Sequence, residues 1–183
     1  MIELNRNHLV DFITERLATT ESPRQRTMLE RMRVHAAAER DGDLETLVGT
    51  LGEATNYHFW ELSGDVGPKT REGVAEYYRN LVENNGHVLE FFCERMVVDD
   101  HCIVIEGALT MIQPGALMVQ HPMAGDFAEA DKNYLIRMRN VIFWSFDEDL
   151  MIIAEDSYTG GPIEMRVLED AELPADFAAL VAG

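Results

Sequence analysis

Apolar residues recur at helical spacing in the first part of the chain and at alternate positions in the later part. Leu9, Phe12, Ile13 and Leu17, with Asp11, Glu15 and Arg16 between them, predict an amphipathic helix. Ser22-Pro23-Arg24-Gln25 supplies a capping serine, a proline at the first helical position and a glutamine placed for a capping box. The second helix it opens carries Met28, Leu29, Met32, His35, Ala36 and Glu39 along one side, and Asp41-Gly42 ends it. Asp43 caps a short third helix bearing Leu44, Leu47, Val48 and Leu51, closed by Gly52.

A strand through Tyr57-His58-Phe59-Trp60 follows, then a loop with Gly64, Gly67 and Pro68. Next comes a helix capped by Thr70, with Val74, Tyr77, Tyr78, Leu81 and Val82 on one face. Beyond Asn84-Asn85-Gly86 the period becomes two. Strands are predicted over 88–98, 102–112, 134–146 and 150–158, with turns at Asp99-Asp100 and Asp147-Glu148-Asp149. Long consecutive strands of this kind make a curved antiparallel sheet, hence an α+β fold with three to four helices. Residues 113–133 are longer than an ordinary connection: a lid, an oligomer contact or extra strand, with Met118 and Met123 suiting any of these. Gly160-Gly161-Pro162 opens a C-terminal extension over 161–183, where Phe177, Leu180 and Val181 form an apolar helical turn, so the main domain is expected to span 1–160.

Composition narrows the function. With 183 residues and 46% apolar side chains the chain can bury one core. The 33 acidic against 15 basic residues give a net charge of -18, a field that repels phosphate backbones and anionic lipid, so neither nucleic acid nor a membrane surface is the expected partner. The N-terminus lacks a basic start and apolar run, and a cytoplasmic protein is expected. Cys93 and Cys102 are placed too far apart across a hairpin to bond, with Cys102 opposite Val97, so two thiols are expected. His8, His35, His58, His87, His101 and His121 show no metal-ligand spacing, and serine-nucleophile, phosphate-loop and dinucleotide signatures are absent, so no metal or cofactor is assigned.

The order helix, helix, short helix, strand, helix and long antiparallel strands resembles the cone-shaped fold of the nuclear transport factor two-like superfamily, including its SnoaL-like proteins. The residues that carry it are 37–44 (Ala-Ala-Glu-Arg-Asp-Gly-Asp-Leu), 70–78 (Thr-Arg-Glu-Gly-Val-Ala-Glu-Tyr-Tyr) and the closing hairpin 143–158. The resemblance implies a sheet wrapped around a pocket. It also implies one of several activities: polyketide cyclase, steroid isomerase, dehydratase, epoxide hydrolase, or plain binding. Asp156 stands where limonene-epoxide-hydrolase-like members hold an acid on the last strand, and Tyr57 resembles the tyrosine of their first strand. Their remaining residues are not reproduced, since this chain has Glu106 and Ala108 where they carry arginine and aspartate, and Phe59 where they carry asparagine.

Strand parity extends this reading. A three-residue turn pairing Phe146 with Leu150 sets Trp144 opposite Ile152, Ile142 opposite Ala154, Asn140 opposite Asp156 and Met138 opposite Tyr158 on one face. The same count through Asp99-Asp100 puts Glu106 opposite Cys93, on a face with Phe91, Ala108 and Thr110. Two carboxylates in an apolar cavity split their pKa values into one acid and one base. Asp156, Glu106 and Tyr57 are thus the candidate catalytic residues, Tyr57 or Tyr158 donating to an enolate, and Tyr158, Trp60, Trp144, Asn140 and Phe91 the substrate wall. The expected chemistry is isomerisation, cyclisation or dehydration (a lyase) of a small hydrophobic or polycyclic molecule. The alternative is a non-catalytic binding or dimerisation protein of the same fold. Val141, Phe143 and Val98 on a second apolar face, with Arg137 and Arg139, predict a homodimer, and His58 is expected at the surface or an interface.

Overall fold

The structure, a computed structural model, describes residues 1–120 and 128–182. Helices α1 (His8–Thr19), α2 (Pro23–Asp41) and α3 (Leu44–Gly49) lead into strand β1 (Leu51–Glu61), the short β2 (Gly64–Asp65) and helix α4 (Thr70–Glu83). Strands β3 (Leu89–Val98) and β4 (Cys102–Pro114) follow, then the single turn α5 (Gly115–Met118), strands β5 (Asn133–Phe146) and β6 (Ile152–Leu168), a 3-10 turn and helix α6 (Ala175–Ala182). Three of the expected caps form: Ser22 accepts from Gln25 N, Asp43 accepts from Thr46 N, and Gly42 closes α2 at φ 71°. The Gln25 side chain donates to Asp100 instead of completing a capping box, and Thr70, expected to cap α4, is its first residue. Leu51 and Gly52 do not extend α3 as expected. They begin β1, with Leu51 paired to Ile152, so that strand is far longer than Tyr57–Trp60.

The strands form one curved, unclosed sheet in the order β2-β1-β6-β5-β4-β3. All pairs are antiparallel except β1 with β6, which run parallel. Helices α1 to α4 pack on its inner face, where Ile13, Met28, Met32, Leu47 and Val74 meet Tyr57, Met96, Ile103, Ile105, Ile142 and Trp144. At today's burial coefficient of about 25 cal/mol per Å² such a core is the main stabilising term.

Two bulges decide what this face carries. Beside the β5–β6 turn, Phe146 pairs with Ile152 but Ser145 pairs with Ala154, leaving Ile153 as the extra residue. Trp144 therefore lies opposite Glu155, Ile142 opposite Ser157, and Asp156 opposite Phe143 on the outer face, three residues out of step with the expected register, an odd shift that exchanges the two faces of β6. In β3 the extra residue is Glu94: Arg95 pairs with Glu106 and Cys93 with Gly107. A side chain on Gly107 would stand 2.1 Å from Phe92 O, so only glycine lets β3 bend here. Val104 rather than Cys102 lies opposite Val97, and both cysteines are free thiols, as expected.

The boundary expected at residue 160 falls inside β6, which runs on to Leu168 in register with the start of β5. Beyond it, Leu173 and Phe177 join Val88, Ile112, Leu135 and Leu168 in a second core. Within 113–133, β4 reaches Pro114 and Met118 is buried against Tyr134 and Ile136, whereas Met123 lies outside the described residues. Val181's side chain does as well.

Candidate functional site

The inner face is read in rows across the sheet. Tyr57 on β1, Glu155 on β6, Trp144 on β5 and Ile103 on β4 stand side by side, and the next row holds Phe59, Ser157, Ile142 and Ile105. Helix α2 lies over them, and it presents His35 and Glu39, four residues apart and so on one side of the helix. Helix α4 contributes Tyr77 and Tyr78.

Glu39 and Glu155 are the carboxylates of this interior. Each keeps some open surface, yet packed atoms strip away most of its water. Burial pushes Glu39 up to about 7. Burial first, then the charge of Glu39, pushes Glu155 well above the usual carboxylate range. Neither makes a hydrogen bond or ion pair among the described residues. Burial, reinforced by the two glutamates, also raises the Tyr77 hydroxyl. Glu39 faces a small cavity of about 30 Å³ together with Arg6, Leu9, His87 and Phe91, room for a water-sized group.

A buried hydrogen-bond chain runs alongside. Tyr57 Oη meets Tyr78 Oη at 3.3 Å, Tyr78 Oη meets His35 Nε2 at 3.0 Å, and His35 Nδ1 meets Thr50 Oγ1 at 2.7 Å. Thr50 in turn donates to Leu47 O at 2.6 Å. Burial lowers His35 to about 3, so the ring is neutral. Aromatic edges close the walls, Trp144 against His35 at 4.9 Å and against Tyr57 at 6.2 Å, and Phe59 against Tyr77 at 5.4 Å. Asn140 donates to Ser157 Oγ at 3.2 Å, while its Oδ1 and the Trp144 indole N–H are buried without a partner among the described residues. Such atoms lose hydration without recovering it from the protein.

Of the residues expected in the site, Tyr57, Trp144, Asn140 and Phe91 lie on the inner side. Asp156, Glu106, Trp60 and Tyr158 do not: the bulge in β6 turns Asp156 and Tyr158 outward, the bulge in β3 sets Glu106 opposite Arg95 instead of Cys93, and Trp60, three residues from Tyr57 on β1, takes the opposite face by alternation. Glu106 faces outward and pairs with Arg139 at 3.0 Å and Arg95 at 3.4 Å; Arg139 also holds Glu94 at 2.8 Å. Asp156 is the register partner of His58, whose Nδ1 meets Asp65 Oδ2 at 2.6 Å on that same outer face. Trp60, Phe143, Tyr158 and Val97 are exposed there at 41%, 37%, 47% and 56%. Val98, expected with them, turns inward onto the main core.

Glu39 and Glu155 themselves went unnoticed as a pair. For Glu39 the signal is present: it shares the helical side of Met32, His35 and Ala36, where a carboxylate is costly unless it has a task. Glu155 is concealed by the bulge at Ile153, which alternation cannot reveal.

Comparison with known proteins agrees with this architecture. No protein-family model matches the sequence, and no curated protein matches it. Among solved structures, one assigned as a SnoaL-like polyketide cyclase from Jannaschia sp. CCS1 superposes with a TM-score of 0.57 at 16% identity, over 77% of this chain and 90% of that one. The epoxide hydrolase/cyclase-like enzyme SalBIII, of pyran ring formation in salinomycin, gives 0.53 at 12% identity, over 77% and 95%. An NTF2-like protein of unknown function from Burkholderia pseudomallei gives 0.50 at 11%, over 73% and 90%. The chain therefore has the cone fold of the SnoaL-like and nuclear transport factor two-like proteins. No helix among the described residues is long and apolar enough to cross a membrane.

Proposed function

We propose that this protein is an enzyme that moves protons by a pair of carboxyl groups on a small hydrophobic ring compound, in an isomerisation, dehydration or cyclisation. The observation that carries the reading is the placement of Glu39 and Glu155 in one aromatic interior, where burial raises both and the charge of Glu39 raises Glu155 further. Glu39, ionising near neutrality, is the base that takes a proton from carbon beside a carbonyl. The C–H electron pair moves into the forming enol as Glu155, held protonated, gives its proton to the carbonyl oxygen. Return of the Glu39 proton to another carbon, as the enol O–H goes back to Glu155, completes an isomerisation; delivery of the Glu39 proton to a hydroxyl on the next carbon, which leaves as water while the enol O–H goes back to Glu155, completes a dehydration. Tyr57 packs against Trp144 and Phe59 beside the glutamates, and the three would form the apolar wall for a ring once the interior opens to admit it. Enzymes among the fold neighbours support the class of activity but not the reaction.

The outer face suits a second copy of the chain. Trp60, Phe143, Tyr158 and Val97 form an apolar band bordered by the Arg139–Glu94–Glu106 ion pairs, and a homodimer would cover it. Two free thiols fit a reducing, cytoplasmic setting.

Carbon-13 NMR titration of the carboxyl groups tests the catalytic reading without a substrate, with Glu39→Gln and Glu155→Gln for assignment. Glu39 is expected to titrate near 7 and Glu155 well above the usual carboxylate range, with Glu39→Gln lowering the midpoint of Glu155. Independent midpoints near about 4, the value of a solvated carboxyl, would sink it and leave a binding protein of the same fold.

A further inference from the structure

The buried chain from Leu47 to Tyr57 has a direction, and the direction changes what Tyr57 can do. A main-chain carbonyl only accepts, so the 2.6 Å contact between Thr50 Oγ1 and Leu47 O must contain the hydroxyl proton of Thr50. Two buried oxygens at that separation with no proton between them would repel. Thr50 Oγ1 has one proton, now committed, so at 2.7 Å it accepts from His35 Nδ1–H. His35 is fully buried and no carboxylate meets either ring nitrogen, so the ring is neutral and carries a single N–H. Nε2 is then a lone pair, and Tyr78 donates to it at 3.0 Å. The Tyr78 oxygen, its proton used, accepts from Tyr57 at 3.3 Å.

We infer that Tyr57 enters the site as a hydrogen-bond acceptor, with Thr50 and His35 as positioning residues that turn its hydroxyl proton toward Tyr78 and away from the substrate. Tyr57 is fully buried in this structure, so a ligand reaches its oxygen only by displacing packed side chains, and the group it then brings must be a donor, a hydroxyl or an amine, and not a carbonyl or enolate oxygen. The expectation that Tyr57 donates to an enolate is reversed. That task falls to Tyr77, beside Glu155 and Glu39, whose hydroxyl has no hydrogen-bond partner among the described residues. Tyr78 is the link between the two halves of the chain and is spent at both of its positions.

The inference goes beyond the acid and base roles of the glutamates and stands on separate contacts. Nitrogen-15 NMR of the imidazole rings in the full chain at neutral pH tests it, with His35 assigned through its contact with the Trp144 ring. The expected result is a protonated Nδ1 and an unprotonated Nε2, with the Tyr57 hydroxyl proton in contact with the Tyr78 ring. A protonated Nε2 would overturn the inference. Thr50→Val removes the fixed acceptor while keeping the shape. It is expected to move the proton to Nε2 and so reverse both tyrosine hydroxyls; an unchanged Nδ1–H would remove Thr50 from the mechanism. The wild-type spectrum decides the direction alone should that variant not fold. Ordinary carboxyl midpoints with a protonated Nδ1 would defeat the proposed proton transfer and leave this polarity standing. Raised midpoints with a protonated Nε2 would do the reverse.

Discussion

Glu155 and Asp156 are neighbours with the same functional group, yet they belong to different environments. Glu155 stands between Tyr57 and Trp144 under the helices, where burial and Glu39 hold its proton on. Asp156 stands between His58 and Phe143 on the uncovered side. Glu106 repeats the contrast: on the outer face it ion-pairs with Arg139 and Arg95, whereas Glu39 makes no ion pair among the described residues. A carboxylate's chemistry here is set by the side of a strand it leaves from, and one extra residue at the start of β6 chooses the side.

The contrast can be pressed hardest through packing. Trp144→Ala is expected to lower unfolding free energy by about 3–5 kcal/mol, the range for deleting a buried aromatic. Phe143→Glu, one position away on the outer face, should leave the protomer folded but convert the sedimenting species from dimer to monomer. A stable dimer in that variant would show that the apolar band is not the contact.

A smaller effect separates the faces by pH. Glu39 titrates at about 7 when folded and near 4.5 when unfolded, so between those values the native chain holds a proton that the unfolded chain has lost. Its stabilising contribution is complete below about pH 4.5 and is lost as pH rises through 7, up to about 3 kcal/mol. His35 acts oppositely: its folded value near 3 against 6.5 unfolded means stability is lost as pH falls through that interval. Glu39→Gln should therefore flatten the alkaline decline seen in urea denaturation at pH 8 against pH 5, and leave the His35 slope on the acid side. An unchanged pH profile would place Glu39 in water.

The smallest effect belongs to the outer acids. Asp156→Asn is expected to change stability by no more than about 0.5 kcal/mol at any pH from 5 to 8, and Glu106→Gln to leave the melting temperature almost unmoved, because exposed ion pairs contribute little. A strong pH-dependent response of Asp156→Asn would return that residue to the interior.

Much of the architecture could be read from residue types alone. Ser22-Pro23, Asp43 and the Asp41-Gly42 stop are local signals whose meaning does not depend on the rest of the chain, and each sits where it was expected. Alternation in β5 correctly placed Trp144, Ile142 and Asn140 on the buried side. Relations between strands were less legible. The extra residues Glu94 and Ile153 leave each strand's sequence ordinary while shifting everything beyond them by one. A pair of carboxyls in an apolar interior was legible as a pattern, but the structure turns Asp156 and Glu106 outward and puts Glu39 and Glu155 inside. Glu39 needed no register at all, only attention to a charge on the apolar side of α2.

The parallel pairing of β1 with β6 also governs when the molecule becomes whole. Tyr57 meets Glu155 only after nearly a hundred intervening residues have been made, as their positions show. During synthesis β1 must wait at the margin of an unfinished sheet, with β5 as the other open margin, both able to recruit foreign strands. Such distant closure is slow, since the loop entropy is spent before the contact returns anything. Arrival of β6 seals both margins at once and in the same event delivers Glu155 beside Tyr57, so a nascent chain that stops short of β6 is at once the most adhesive form of this protein and one that lacks half of its acid pair.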